Sequence, residues 1–213
     1  MTPTPARTTV VAFDFDGTVT RADSVVPFLL RFARRPRALV GLARELPAVF
    51  VALVRRDRDR LRAAATRAVL TGVPHDEVLA TGRAFAAEIL AERLRDDTVA
   101  RLRWHVEQGH RVVFVSASYD CYLHDVASAL GVQAVLSTRL AVADGRCTGA
   151  LDGENCRGAQ KVERLEAWLG TQGLRRDDVE LWAYGDSSGD RELLAAADRG
   201  IWVRAPLDSV TPA

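Results

Sequence analysis

Lysine is almost absent from this sequence. Its basic side chains are 28 arginines and one lysine, Lys161. In a chain that uses arginine everywhere else, the lysine at 161 reads either as a chance survivor or as a compact ammonium that can approach a phosphate or carboxylate cluster where a planar guanidinium would not fit. Cysteine is scarce as well. Cys121, Cys147 and Cys156 are an odd number with no CxxC spacing, so neither a disulfide framework nor a zinc site is indicated; a reducing, cytoplasmic compartment is expected. No apolar run is long enough to span a bilayer, because Leu46 to Val54 is short and Arg44, Glu45 and Pro47 interrupt the stretch around it. Met1 to Arg7 is rich in proline and threonine and has no apolar h-region, so no signal peptide is expected. A net charge of only +1 gives no reason to expect nucleic acid as a partner. The histidines, His75, His105, His110 and His124, have no ligand-spaced partners and read as structural.

With 48% hydrophobic residues in 213, the chain can bury a substantial core as one domain, or as one domain carrying a smaller insertion. The organising stretch is Val10-Val11-Ala12-Phe13-Asp14-Phe15-Asp16-Gly17-Thr18. An apolar run that stops at two carboxylates one residue apart reads as a buried parallel strand delivering acids to the C-terminal edge of a sheet. That edge is where open α/β sheets bind ligands. Crowded carboxylates repel unless a cation or a shared proton relieves them, so the pair suggests a hard divalent metal or an acid/base couple. A strand end followed by an ordinary Asp-Gly turn is the plainer alternative.

From about Ser24 to Leu94 the spacing predicts only helices, around Val25–Phe32, Ala38–Leu53, Arg58–Leu70 and Pro74–Leu94, punctuated by Pro36, Pro47 and Gly72-Val73-Pro74. Asp23 and Ser24 supply N-cap oxygens. This insert is basic, with Arg31, Arg34, Arg35, Arg37, Arg44, Arg55, Arg56, Arg58, Arg60, Arg62 and Arg67 against few acids. Its apolar helical part, flanked by arginines, reads either as a solvated face over a core or as a peripheral contact with anionic lipid. A helix follows over Asp97–Gln108, then a strand Arg111–Val115 that stops at Ser116-Ala117-Ser118, where hydroxyls and free backbone N–H groups make an anion site or a helix N-cap. Tyr119–Leu130 is a helix, Gln133–Leu136 a short strand, and Thr138–Gly149 a hairpin about Asp144-Gly145. Lys161 opens a helix. Glu180–Gly185 is a further strand, ending in Asp186-Ser187-Ser188-Gly189-Asp190, and Ile201–Val203 another.

Taken together, DxDGT at Asp14 to Thr18, a hydroxyl after a strand at Ser116, a lysine opening a helix at Lys161 and GDxxxD at Gly185 to Asp190 resemble the four motifs of the haloacid dehalogenase superfamily. The helical insert resembles the C1-type cap of its phosphoserine phosphatase-like subfamily IB. The resemblance covers nearly the whole chain. It implies an α/β fold with a Rossmann-like parallel sheet as core (residues 1–20 and 95–213) and an all-helical cap (21–94).

It further implies a Mg²⁺-dependent phosphatase. In that reading Asp14 is the nucleophile forming an aspartyl-phosphate, and Asp16 is the acid that protonates the leaving group and then activates water. Mg²⁺ is held by Asp14, the backbone carbonyl of Asp16, and Asp186. Thr18, Ser116, Ala117 and Lys161 hold the phosphate, and Asp190 orients Lys161 or a metal-bound water. An aspartate at 16 fits a phosphatase rather than the dehalogenase or P-type ATPase branches. Asp23 matches a carboxylate that binds the substrate's amine in phosphoserine phosphatases, and equally a helix N-cap. Ser-Ala-Ser at 116–118 replaces a frequent Ser-Gly-Gly, and Gly189 stands where those enzymes often carry Asn. The substrate therefore stays open among amino-alcohol, sugar and phospholipid-headgroup phosphates, as does the oligomeric state. A phosphotransferase or mutase using the same intermediate, and a non-catalytic phosphoacceptor switch, are the alternatives.

Overall fold

The computed structural model describes residues 7–33, 35–55 and 57–207. The segment Met1–Ala6 expected to lack a signal peptide, Arg34 and Arg56 of the basic insert, and the side chains of Arg37 and Arg58 lie outside the described residues.

Six strands form one sheet. They are β1 (Thr8–Phe13), β2 (Arg111–Tyr119), β3 (Ala134–Ala143), β4 (Arg146–Asp152), β5 (Val179–Gly185) and β6 (Arg199–Trp202). The order is β4-β3-β2-β1-β5-β6, parallel throughout except for the β3–β4 hairpin. β1 sits inside the sheet, between β2 and β5. Side chains alternate along a strand, so Val11 and Phe13 join one core with Phe114 and Tyr184. Val10 and Ala12 join the other, with Val113, Val115, Leu181 and Ala183. Because helices cover both faces, β1 is apolar and buried at each position of Val10–Phe13. Burial of each large side chain contributes about 1.5–3 kcal/mol. Phe13 lies opposite Phe114 and Tyr184, and this register brings Asp14, Ser116 and Asp186 to a single sheet edge.

The connection from β1 to β2 holds α1 (Val25–Ala33), α2 (Pro36–Val54), α3 (Arg58–Leu70), α4 (His75–Glu88) and α5 (Asp96–Glu107). A single π-helical turn, Ile89–Arg93, widens the end of α4. The two chain segments leading into and out of α1–α4 run side by side. Thr20 bridges Leu94, and Arg21 N and Arg95 N donate to Arg93 O and Val19 O, both at 2.9 Å. The remaining helices are α6 (Asp120–Leu130), closed by Gly131 at φ 74°, α7 (Ala159–Thr171) and α8 (Arg191–Ala196). Among the described residues no helix is long and apolar enough to cross a membrane.

α2 carries an exposed Pro47 in its interior, as the expected helix over Ala38–Leu53 does. Two local expectations change. β2 continues through Ser118 to Tyr119 with a register shift after Ser116, and Tyr119 rather than Ser116 caps α6. The short strand near Gln133 and the first arm of the hairpin are one strand, β3, whose first half pairs with β2 and whose second half pairs with β4.

Candidate active site

The site begins where β1 ends. Gly17 has φ 81°, and the chain folds back so that the N–H groups of Thr18, Val19 and Thr20 all donate to Phe15 O. The turn also passes tightly against Asp186. A Cβ at position 17 would stand 2.3 Å from Asp186 Oδ2, so glycine is required both by the left-handed backbone and by the space.

Asp14 is buried at the floor of an open cavity of about 570 Å³. Lys161, in the first turn of α7 and 2% exposed, donates to Asp14 Oδ1 at 2.5 Å and to Asp190 Oδ1 at 2.5 Å. Ser187 holds the other oxygen of Asp190 through its N–H and its hydroxyl, both at 2.9 Å. The Thr18 hydroxyl lies 3.4 Å from Asp14 Oδ2. Thr18 is fully buried and is not among the residues lining the cavity. Ser116, Ala117, Asp23 and Asp186 do line it. Burial pushes the Asp14 carboxyl up to about 7; Lys161 opposes this, while Asp190 and Asp16 add to it. Burial also works against the Lys161 ammonium, but its two carboxylates together outweigh that cost and hold its pKa above the ordinary value.

Carboxylate oxygens of Asp14, Asp186 and Asp190 lie within 4.8 Å of one another. Asp186 Oδ1 is buried and has no hydrogen-bond partner among the described residues, which leaves its lone pairs available to a cation or a water. Asp190 has both oxygens engaged by Lys161 and Ser187, so Asp14 and Asp186 keep the freer lone pairs for a cation. An oxygen-only donor set of this kind suits a hard divalent ion.

The side chain of Asp16 stands apart from that cluster. Its Oδ1 accepts from Ser24 N at 2.9 Å, and its Oδ2 accepts from the Ser118 hydroxyl at 2.7 Å. Burial raises Asp16 to about 6, with Asp23 adding and the two hydrogen bonds opposing. The Ser24 hydroxyl in turn meets Ser118 at 3.2 Å and the Tyr122 hydroxyl at 2.9 Å. Asp23 does two things: Oδ2 accepts from Val26 N at 2.8 Å, capping α1, and Oδ1 accepts from Arg62 at 2.8 Å.

Several residues at the site were not singled out from sequence. Arg62 of α3 also donates to Ala117 O at 3.3 Å. Asp59, on the same helix, accepts from Asn155 at 2.7 Å and Arg157 at 3.3 Å. These contacts hold the insertion over the sheet edge. Arg62 was visible only as one arginine of many, and the only trace of Ser118 was the Ser-Ala-Ser run, because a local pattern does not say which of its hydroxyls turns toward Asp16. His105 and His110, expected to stand alone, meet through their Nδ1 atoms at 2.8 Å, away from this site.

The model for haloacid dehalogenase-like hydrolases matches residues 11–195, and the chain belongs to that family. Within it the chain is phosphoserine phosphatase-like. It is 31% identical to a phosphoserine phosphatase of Halobacterium salinarum over 201 residues, covering 92% of this chain and 85% of the relative. It is 42% identical to the protein CicA of Caulobacter vibrioides over 191 residues, covering 89% and 83% respectively. Among solved structures, a protein of unknown function from Bordetella pertussis Tohama I superposes with a TM-score of 0.74 at 25% identity, covering 90% of this chain and 87% of the other.

Proposed function

We propose that the protein is a divalent-metal-dependent phosphatase that hydrolyses a phosphomonoester through an aspartyl-phosphate on Asp14. The observation that carries this reading is the buried chain Asp14–Lys161–Asp190 beside the unpartnered Asp186 Oδ1, at the floor of an open cavity. Asp14 Oδ1 is occupied by Lys161, which leaves Oδ2 to attack phosphorus and displace the alkoxide. Asp16, kept near neutrality in its titration by burial and aimed by Ser24 and Ser118, gives its proton to that alkoxide and then takes one from the water that cleaves the acyl phosphate. Lys161 stays protonated and offsets charge on the transferred group. Asp14 and Asp186 would hold Mg²⁺ or a similar ion, which when bound supplies charge neutralisation between carboxylate and phosphate. Membership of a phosphoserine phosphatase-like branch supports the same chemistry.

The cavity wall joins charged groups, Asp23, Arg62 and Arg157, to apolar ones, Val25, Leu29 and Leu61. Phosphate release from amino-alcohol, sugar and lipid phosphates, with Mg²⁺ or with excess EDTA, is the direct test. Metal-dependent release that disappears in Asp14→Asn, with a phosphoryl group trapped on the peptide holding Asp14 in the unmodified protein, is the expected result. Undiminished turnover by Asp14→Asn removes the nucleophile assignment. Product partition in the presence of added alcohols separates hydrolysis from transfer to another acceptor.

A further inference from the structure

Helix α2 is packed inside out. A surface helix ordinarily turns its large apolar side chains to the core. α2 instead lays Ala38, Gly41, Ala48 and Ala52 along α3, a seam so close that a Cβ on Gly41 would stand 2.1 Å from Ala68 O. Glu45, on the same seam, is tied to Arg67 at 2.8 Å. The large residues point outward: Leu39 is 64% exposed, Leu46 57%, Phe50 68% and Leu53 58%, with Leu42 and Val54 beside them. Val26 and Leu30 of α1 are exposed as well, and Val26 also lines the catalytic cavity. An apolar face of this size marks an interaction surface.

We propose that this face docks on the surface of an anionic lipid bilayer. Charge selects the occupant. Residues 31–62 carry ten arginines and three acids, and apart from Arg44 these arginines fall in sequence on either side of the apolar stretch 38–54; of the ten, Arg31, Arg35, Arg60 and Arg62 are paired with Glu88, Glu77, Asp57 and Asp23. Arg44 and Arg55 are exposed and have no acidic partner among the described residues. An apolar helix with basic flanks at both ends lies in the interfacial plane, its side chains among acyl chains and its arginines at anionic headgroups. A second copy of the chain fits less well: α2 against α2 brings arginine-rich flanks together whether the helices run parallel or antiparallel. The docking does not depend on the reaction proposed above.

Sedimentation of the full chain with phosphatidylcholine vesicles, with and without phosphatidylglycerol, tests it. The protein pellets with the anionic vesicles, is released by salt, and stays largely in solution with phosphatidylcholine alone. Leu46→Ser with Phe50→Ser lowers partitioning roughly tenfold, and Arg44→Glu with Arg55→Glu abolishes the preference for anionic lipid. Both pairs keep the parent circular dichroism, since the replaced side chains are exposed. Protein that stays in the supernatant with anionic vesicles overturns the proposal, as does unchanged binding by the Leu46/Phe50 variant. A dimer that dissociates in that variant also overturns it and assigns the face to self-association.

Discussion

The Ser118 hydroxyl donates to Asp16 Oδ2 at 2.7 Å, across 102 residues of sequence. The two sit near the ends of neighbouring strands, and with Ser24 N on Oδ1 the bond holds the Asp16 carboxyl, which is not part of the Asp14, Asp186 and Asp190 cluster. Ser118→Ala leaves the carboxyl held by Ser24 N alone. A hydrogen bond to a charged group contributes about 1.5–3 kcal/mol, so kcat falls roughly tenfold or more while KM for a phosphomonoester stays close to the parent value. A change confined to KM would place Ser118 in substrate binding instead.

Lys161→Arg tests whether the single lysine is there for its shape. The ammonium is fitted between two carboxylates at 2.5 Å each in a site that is 2% exposed. A guanidinium keeps the charge but displaces Asp14, and kcat drops by about a hundredfold or more. Retention of parent activity would show that charge alone suffices.

Gly17→Ala carries the metal site. The added methyl collides with Asp186 Oδ2 and strains a backbone at φ 81°. Magnesium affinity measured by calorimetry falls at least about tenfold, together with metal-dependent phosphate release, while the melting temperature changes modestly. Equal metal affinity in the two proteins would remove Asp186 from the ligand set.

His105 gives the fold an acid-sensitive point. Burial lowers its pKa to about 3, with His110 and Arg101 adding, and its Nε2 meets the Tyr184 hydroxyl at 2.9 Å. The folded value lies below the unfolded value of about 6.5, so the unfolded chain binds the extra proton. This contribution to stability is whole above that unfolded value and is lost as pH falls from there toward 3. Asp14 and Asp16, raised to about 7 and about 6, act in the opposite sense over the same range, so the histidine is read by difference: in urea unfolding the parent loses stability relative to His105→Gln as pH falls from about 6.5. A parent–variant difference that does not change with pH would mean that His105 does not take up the proton.

Much of the sheet was legible because its signals are local. Period-two alternation and β-branched runs depend on neighbours in sequence, so β1 and β5, and the acids that follow them, could be read directly. β3 was read as two pieces because its halves pair with different strands, a fact no window of residues contains.

By itself the sequence determined which residue types stand at each strand end, the lone lysine at a helix start, and which residues of α2 share a face. Tertiary structure decided that Lys161 links Asp14 to Asp190, that Ser118 holds Asp16, and that α2 turns its alanines inward and its leucines out. The physical reason is common to all three. Periodicity fixes directions around an element's own axis, but which direction is covered, and by what, is set by strand register and helix approach between segments distant in the chain.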